Sequence, residues 1–202
     1  MTHLLSINVH GVRVEGVAGV CGAVFNHFQN HYKAVNISRP SVDESVFDTL
    51  SEEEVASLMV LFSEDEIKQA VWNCDSYKSP GPDGINLGFI KDFWELLKED
   101  MVRFFNEFHR HGKLTKGLNS TFIALIPKVE SPQCLSDFRP ISLLYCLYKI
   151  MSKVLANRLR NVIGGVISKS QSAFVHGRQT LDGLLIAYDL VDDARKRKKY
   201  LL

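Results

Sequence analysis

Cysteine is scarce and scattered. The four thiols, Cys21, Cys74, Cys134 and Cys146, never fall into a C-x-x-C spacing, which argues against a disulfide scaffold or a zinc knuckle and for reduced thiols inside a cell. No run reaches the roughly 18 apolar residues of a membrane helix. The opening "MTHLLSINVHGVRVEG" also lacks the charged start and long apolar core of a secretory leader. These absences predict an intracellular protein, nuclear or cytoplasmic, neither secreted nor membrane-embedded. His27 and His31 stand four apart, but no glutamate follows the first of them as in H-E-x-x-H; packing or surface histidines are the expectation, not a metal site. Internal repeats and low-complexity tracts are missing as well.

What remains is an ordinary globular balance, 46% apolar and 23% charged over 202 residues, enough for one or two domains with a real core. The net charge of +1 conceals a polarity. Residues 1–100 hold 7 Lys/Arg against 16 Asp/Glu and residues 101–202 hold 17 against 7, so the halves carry about −9 and +10. A basic half of that size fits a polyanionic partner, nucleic acid above all; the plain alternative is a solvated basic surface.

Periodicity predicts a helix-rich α+β chain. Residues 4–14 read as a short strand pair or extended arm. Val20, Val24, Phe28 and Tyr32 repeat every four residues in a first helix over 17–34. A Pro/Ser interval, "NISRPSVDES", separates it from two short helices that open on Ser51 and Ser63, each followed by Glu three residues later as in a capping box. "KSPGPDGINLGFI" (78–90) should form a stiff turn that orients a long amphipathic helix, with Ile90, Phe93, Leu97, Met101, Phe104 and Phe108 as its stripe, Trp94 and Phe105 widening it, and a stop near Gly112. Thr121–Pro127 and "DFRPISLL" read as short strands. "LYKIMSKVLANRLRNVI" pairs an apolar face with a basic one (Lys149, Lys153, Arg158, Arg160) and should end at Gly164 and Gly165. A last helix starts near Thr180.

Five strings stand in series: "SPGPDG", "STFIALIPKV", "DFRPISLL", "YKIMSKVLANRL" and "SQSAFVHGRQTLDG". In this order and spacing the chain resembles the reverse transcriptase, an RNA-directed DNA polymerase, of LINE-type non-LTR retrotransposons, especially those of plants. The likeness runs from about Val12 and is dense from Phe62 onward. Local departures are Leu61, where proline is common, Tyr145 for a usual glycine and Tyr188 for a frequent asparagine.

The resemblance implies the fingers subdomain of a right-hand polymerase with a short antiparallel β element and the palm largely missing. Residues 1–75 would be a helical linker region and 76–202 the N-terminal part of the reverse transcriptase domain. It implies an RNA template, a DNA primer and deoxynucleoside triphosphates as partners, and Mg²⁺ as the cofactor of the full-length enzyme. Lys128 and Arg139 take the nucleotide-binding role, Arg139 as a fork on phosphate oxygens and Lys128 as a mobile point charge. The bland alternative is an edge-strand lysine and an arginine paired with Asp137. Gln171, Phe174 and Arg178 are candidates for template contact, Phe174 alternatively as a core plug. Lys149, Lys153 and Arg158 are further candidates to track nucleic-acid backbone, against a solvated helix face. "SPGPDG" is mainly structural, with Lys78 as a lesser candidate.

Catalytic metal ligands are the decisive search. The family's first metal motif and its aromatic-x-Asp-Asp motif have no counterpart here. "LVDDA", with Asp192 and Asp193, copies the letters of the second on a helical pattern, and Asp189 is equally poorly placed. The expectation is therefore a truncated polymerase that has grip residues, binds no metal and cannot polymerise alone; a non-enzymatic nucleic-acid-binding fragment or a decayed retroelement relic is the alternative.

Overall fold

The computed structural model describes residues 6–9, 11–33, 48–168, 171, 175 and 177–196. The first strands, β1 (Ser6–Val9) and β2 (Val12–Glu15), form an antiparallel hairpin whose turn includes Gly11 at φ 84°. Helix α1 (Val17–His31) buries Val20 and Phe28 of its predicted stripe. The Pro/Ser interval lies outside the described residues.

Helices α2 (Glu52–Met59) and α3 (Glu64–Trp72) start where their serines predict, but only one capping box closes. At α2 the Glu54 amide donates to Ser51 Oγ (3.2 Å) and the Ser51 amide donates to Glu54 Oε2 (2.8 Å). At α3 the Glu66 amide donates to Ser63 Oγ (3.1 Å), while the Glu66 carboxylate turns away to Arg158. A stronger, charge-assisted partner displaces the local one.

The single long helix expected after the "SPGPDG" turn is two helices, α4 (Leu87–Asp92) and α5 (Trp94–His111), broken at Phe93. Lys91 explains part of the break: its Nζ donates to the carbonyls of Cys74 (2.7 Å) and Trp72 (3.3 Å) and to Ser76 Oγ (3.0 Å), tying α4 to the end of α3. The break takes Phe93 out of the stripe, whose Leu97, Phe104 and Phe108 still pack against the core. Trp94 and Phe105 become the buried centre with Met101, while Phe93 is left 48% exposed.

Strands β3 (Thr121–Pro127) and β4 (Phe138–Leu144) pair antiparallel across their full length, joined by a loop that closes in a 3-10 turn, Leu135–Asp137. Helix α6 (Cys146–Val166) follows at once. It passes through Gly164 and Gly165 instead of stopping there, correcting the sequence expectation. Two glycines weaken a helix by about 1 kcal/mol each, and the Arg178 guanidinium offsets this by binding the last carbonyls (below). Helix α7 (Thr180–Lys196) starts where expected.

Two cores result. The larger gathers Phe62, Ile67, Ala70 and Val71, then Leu87, Ile90, Trp94, Met101 and Phe105, around Ile150, Met151 and Val154 of α6. Burying each large side chain of this set contributes about 1.5–3 kcal/mol, so α3, α4, α5 and α6 are held as one packed unit. The smaller core joins Ile7, Val20, Leu135 and Phe138. There the N-terminal hairpin meets the β3–β4 loop, and the Asn8 amide donates to the Gln133 carbonyl at 2.8 Å.

Candidate nucleic-acid and phosphate interface

The β3–β4 register decides which side chains share a face. Ile126 lies opposite Arg139, and Pro127 opposite Phe138. The ladder continues one step further, for the Lys128 amide donates to the Asp137 carbonyl at 2.7 Å. Alternation then places Lys128 and Arg139 on one face as diagonal neighbours, with Cβ atoms on the order of 7 Å apart. The opposite face turns Phe138 and Leu125 into the smaller core. On the cationic face Phe122 (60%), Ile126 and Ile141 are exposed.

Asp137 stands between the two cations in this register, yet it forms no ion pair with Arg139. Its Oδ2 accepts from the amides of Cys134 (2.8 Å) and Gln133 (2.9 Å). Those two backbone bonds, above all the one from Cys134, hold its carboxyl below the ordinary aspartate range. The Lys128 ammonium donates to the Ser136 carbonyl (2.8 Å), which leaves two of its protons for another acceptor. Arg139 is exposed, and its guanidinium has no hydrogen bond or ion pair among the described residues. The Arg139–Asp137 pair of the bland alternative is therefore absent.

The other candidates divide. Lys149 Nζ donates to the Ser79 carbonyl at 2.8 Å, fastening α6 to the "SPGPDG" turn. Asp83 of the same turn accepts the Cys146 amide on Oδ2 (2.6 Å) and so caps α6 from 63 residues away. Gly81 lies so close to β4 that a Cβ there would sit 2.2 Å from the Leu144 carbonyl oxygen. The turn thus also serves the β4–α6 junction, besides the helix that follows it in sequence. Lys78 is exposed, and Lys153 is half-buried.

Arg158 is not on a solvated face. Its side chain is only 11% exposed and all five of its N–H donors are engaged. Nε and Nη2 grip Glu66 (2.6 and 2.7 Å), Nη1 donates to Leu58 and Val60, and Nη2 also donates to Leu61. The guanidinium lies 4.0 Å over the Phe62 ring. A group so committed pins the α2–α3 connection to α6 and has no donor left for a phosphate. Arg178 is similar: Nη1 donates to Ser168 (2.5 Å) and Gln171 (2.8 Å), and Nη2 to Ile167 (3.2 Å) and Gly164 (3.3 Å). A cation on the last carbonyls of a helix also meets the negative end of its dipole. Gln171 is exposed, and Phe174 lies outside the described residues.

Asp189, Asp192 and Asp193 all lie on α7, and Asp192 pairs with Lys196 at 2.7 Å. Among the described residues no three His, Cys, Asp or Glu side chains are grouped to hold a metal ion. No described helix is long and apolar enough to cross a membrane.

Two cations thus share one sheet face, and the Arg139 guanidinium has no partner among the described residues. Residues 126–202, from the strand before Lys128 through α7, match the family described as reverse transcriptase (RNA-dependent DNA polymerase). Over 189 residues, 92% of this chain, the sequence is 31% identical to the Transposon TX1 uncharacterized 149 kDa protein of Xenopus laevis. It is 29% identical over 125 residues, 58% of the chain, to the Pol polyprotein of the type-1 retrotransposable element R1 of Bradysia coprophila. A further relative is the Pol polyprotein of element R2 of Nasonia vitripennis, at 26% over 148 residues and 73% of the chain. The chain spans only 14%, 12% and 14% of these relatives' lengths. With that match at residues 126–202 and these relatives along its length, the chain is similar to the reverse transcriptases of non-LTR retrotransposons.

Proposed function

We propose that this chain forms the fingers of a retrotransposon RNA-directed DNA polymerase, with residues 1–75 as the region leading into the domain and 76–202 as its first part. In this reading Lys128 and Arg139 grip the triphosphate of the incoming deoxynucleotide. The observation that carries it is the exposed, unpaired Arg139 guanidinium on the same sheet face as Lys128. A guanidinium forks two parallel bonds onto phosphate oxygens, and an ammonium adds a point charge beside them. Exposed Phe122, Ile126 and Ile141 offer that face an apolar platform for sugar or base. Lys153 and Gln171 stay as the candidates for the RNA template strand. The "plant-type" affinity rests on the motif strings alone.

The family's nucleotidyl transfer joins a primer 3′-hydroxyl to the α-phosphorus of the nucleotide and depends on bound metal, Mg²⁺ in our reading. The carboxylates of α7 do not fit that task, since they sit on one helix instead of converging from separate elements. This chain's own residues hold and orient the polyanion, and the transfer step is not theirs. A binding assay on an RNA template annealed to a DNA primer, with all four deoxynucleotides and Mg²⁺ present, tests the reading. The purified chain should retain the duplex without extending the primer, and Lys128→Ala with Arg139→Ala should weaken retention. Primer extension, or retention unchanged in the double variant, overturns it.

A further inference from the structure

The carboxylate of Asp137 stands in register between two cations that the proposed function requires to be available. A carboxylate so placed normally quenches its neighbours by pairing with them, at about 4 Å or less. Here Oδ2 is committed to the Gln133 and Cys134 amides at 2.9 and 2.8 Å. The same residue's carbonyl accepts the Lys128 amide (2.7 Å), and the carbonyl before it, that of Ser136, accepts the Lys128 ammonium (2.8 Å). A single residue therefore closes the loop, sets the backbone of Lys128 and fixes the acceptor that aims its side chain.

We infer that Asp137 is a positioning residue for the phosphate grip: by closing the 133–137 loop it aims the Lys128 ammonium and leaves the Arg139 guanidinium unquenched. This inference rests on the triphosphate role proposed for Lys128 and Arg139. The lowered pKa of Asp137, caused first by the Cys134 amide, agrees with a carboxylate that works as a backbone acceptor. The loop needs first an acceptor oxygen in that place; a neutral side chain with one carbonyl oxygen there accepts the same two amides, less strongly than the carboxylate does.

The test uses the full 202-residue chain and inorganic tripolyphosphate as the probe, with affinity measured by calorimetry for Asp137→Asn, Asp137→Ala, Lys128→Ala, Arg139→Ala and the Lys128→Ala/Asp137→Ala pair. Asp137→Asn should keep affinity within about twofold of the parent and Asp137→Ala should lose about tenfold, a difference of one charge-assisted contact. The double variant should bind no more weakly than Lys128→Ala alone, because Asp137 acts through Lys128; a merely structural loss adds to it instead. Amide hydrogen exchange at Gln133 and Cys134 should accelerate in Asp137→Ala and stay slow in Asp137→Asn. Affinity that falls in Lys128→Ala and Arg139→Ala but holds in Asp137→Ala overturns the positioning role and spares the grip. Affinity untouched by Lys128→Ala and Arg139→Ala, or absent from the parent, overturns both. Unchanged exchange in Asp137→Ala overturns the loop closure itself.

Discussion

Arg158 and Glu66, 92 residues apart, meet in a two-pronged ion pair at 2.6 and 2.7 Å beneath the α2–α3 connection. The same guanidinium collects the carbonyls of Leu58, Val60 and Leu61 and covers the Phe62 ring. Because the pair is mostly shielded, at 11% and 23% side-chain exposure, removing one partner strands the other. Arg158→Ala should therefore destabilise the chain by about 3 kcal/mol, and Arg158→Lys should recover little of it, since an ammonium has no planar fork. Urea denaturation of the three proteins checks this. A loss under about 1 kcal/mol would mean that the pair behaves as an exposed one.

The "SPGPDG" turn makes a second expectation. Gly81→Ala places a methyl group against the Leu144 and Tyr145 backbone, which has no flexible end to swing away. A cost of about 1–3 kcal/mol follows from such overpacking. Asp83→Ala removes the acceptor for the Cys146 amide and should cost about 1 kcal/mol, the usual value of a helix cap. Both changes should speed amide exchange in the first turn of α6, and no change there contradicts the long-range cap.

Thiol chemistry separates the cysteines. Burial, with the Asp83 carboxylate adding to it, pushes the Cys146 thiol up to about 11. At pH 8 only on the order of one in a thousand of its thiols is ionised. Cys21 is exposed on α1. Brief iodoacetamide treatment of the native chain should modify Cys21 and spare Cys146, read by peptide mass spectrometry, and unfolding should abolish the contrast. Rapid native labelling of Cys146 would show that the β4–α6 junction opens.

Acid should loosen the β3–β4 loop in a defined window. The Asp137 carboxyl is lowered from 3.8 by its amide partners, so it binds protons more readily unfolded than folded. Its contribution to stability is complete above the unfolded value and disappears as pH falls through the folded one. The difference in denaturation midpoint between the parent and Asp137→Ala should be flat from pH 7 to 5 and shrink below 3.8. A difference that grows on acidification would have the wrong sign for a depressed carboxyl.

Strands and helix starts were legible because their signals are local. Thr121–Pro127 ends at its proline, and Ser51 and Ser63 each cap the turn that follows them. The errors arose where a distant partner won. Glu66 left its capping box for Arg158, Lys91 tied α4 to the end of α3 beside the break at Phe93, and Arg178 carried α6 past two glycines. Each of these partners is a cation meeting carbonyls or a carboxylate far along the chain, which no window of periodicity contains. Lys128 and Arg139 were proposed from the family's motifs, and the register places them on one sheet face. Arg158 and Arg178 looked identical to them in sequence, as basic residues on basic stretches, and only their partners show these two to be fasteners. The alternative pairing of Asp137 with Arg139 suggested itself because its neighbours in sequence are visible and the Gln133 and Cys134 amides turned toward it are not.

The salt dependence of single-stranded RNA binding tests the polyanion grip most directly. Log affinity against log salt gives a slope of about −0.7 per phosphate contact, so deleting two contacts should flatten it by about 1.4. For the Lys128→Ala/Arg139→Ala variant, with its thermal transition matched to the parent, we expect that flattening together with weaker binding. Equal slopes and equal affinities in the two proteins would contradict a phosphate grip on the β3–β4 face.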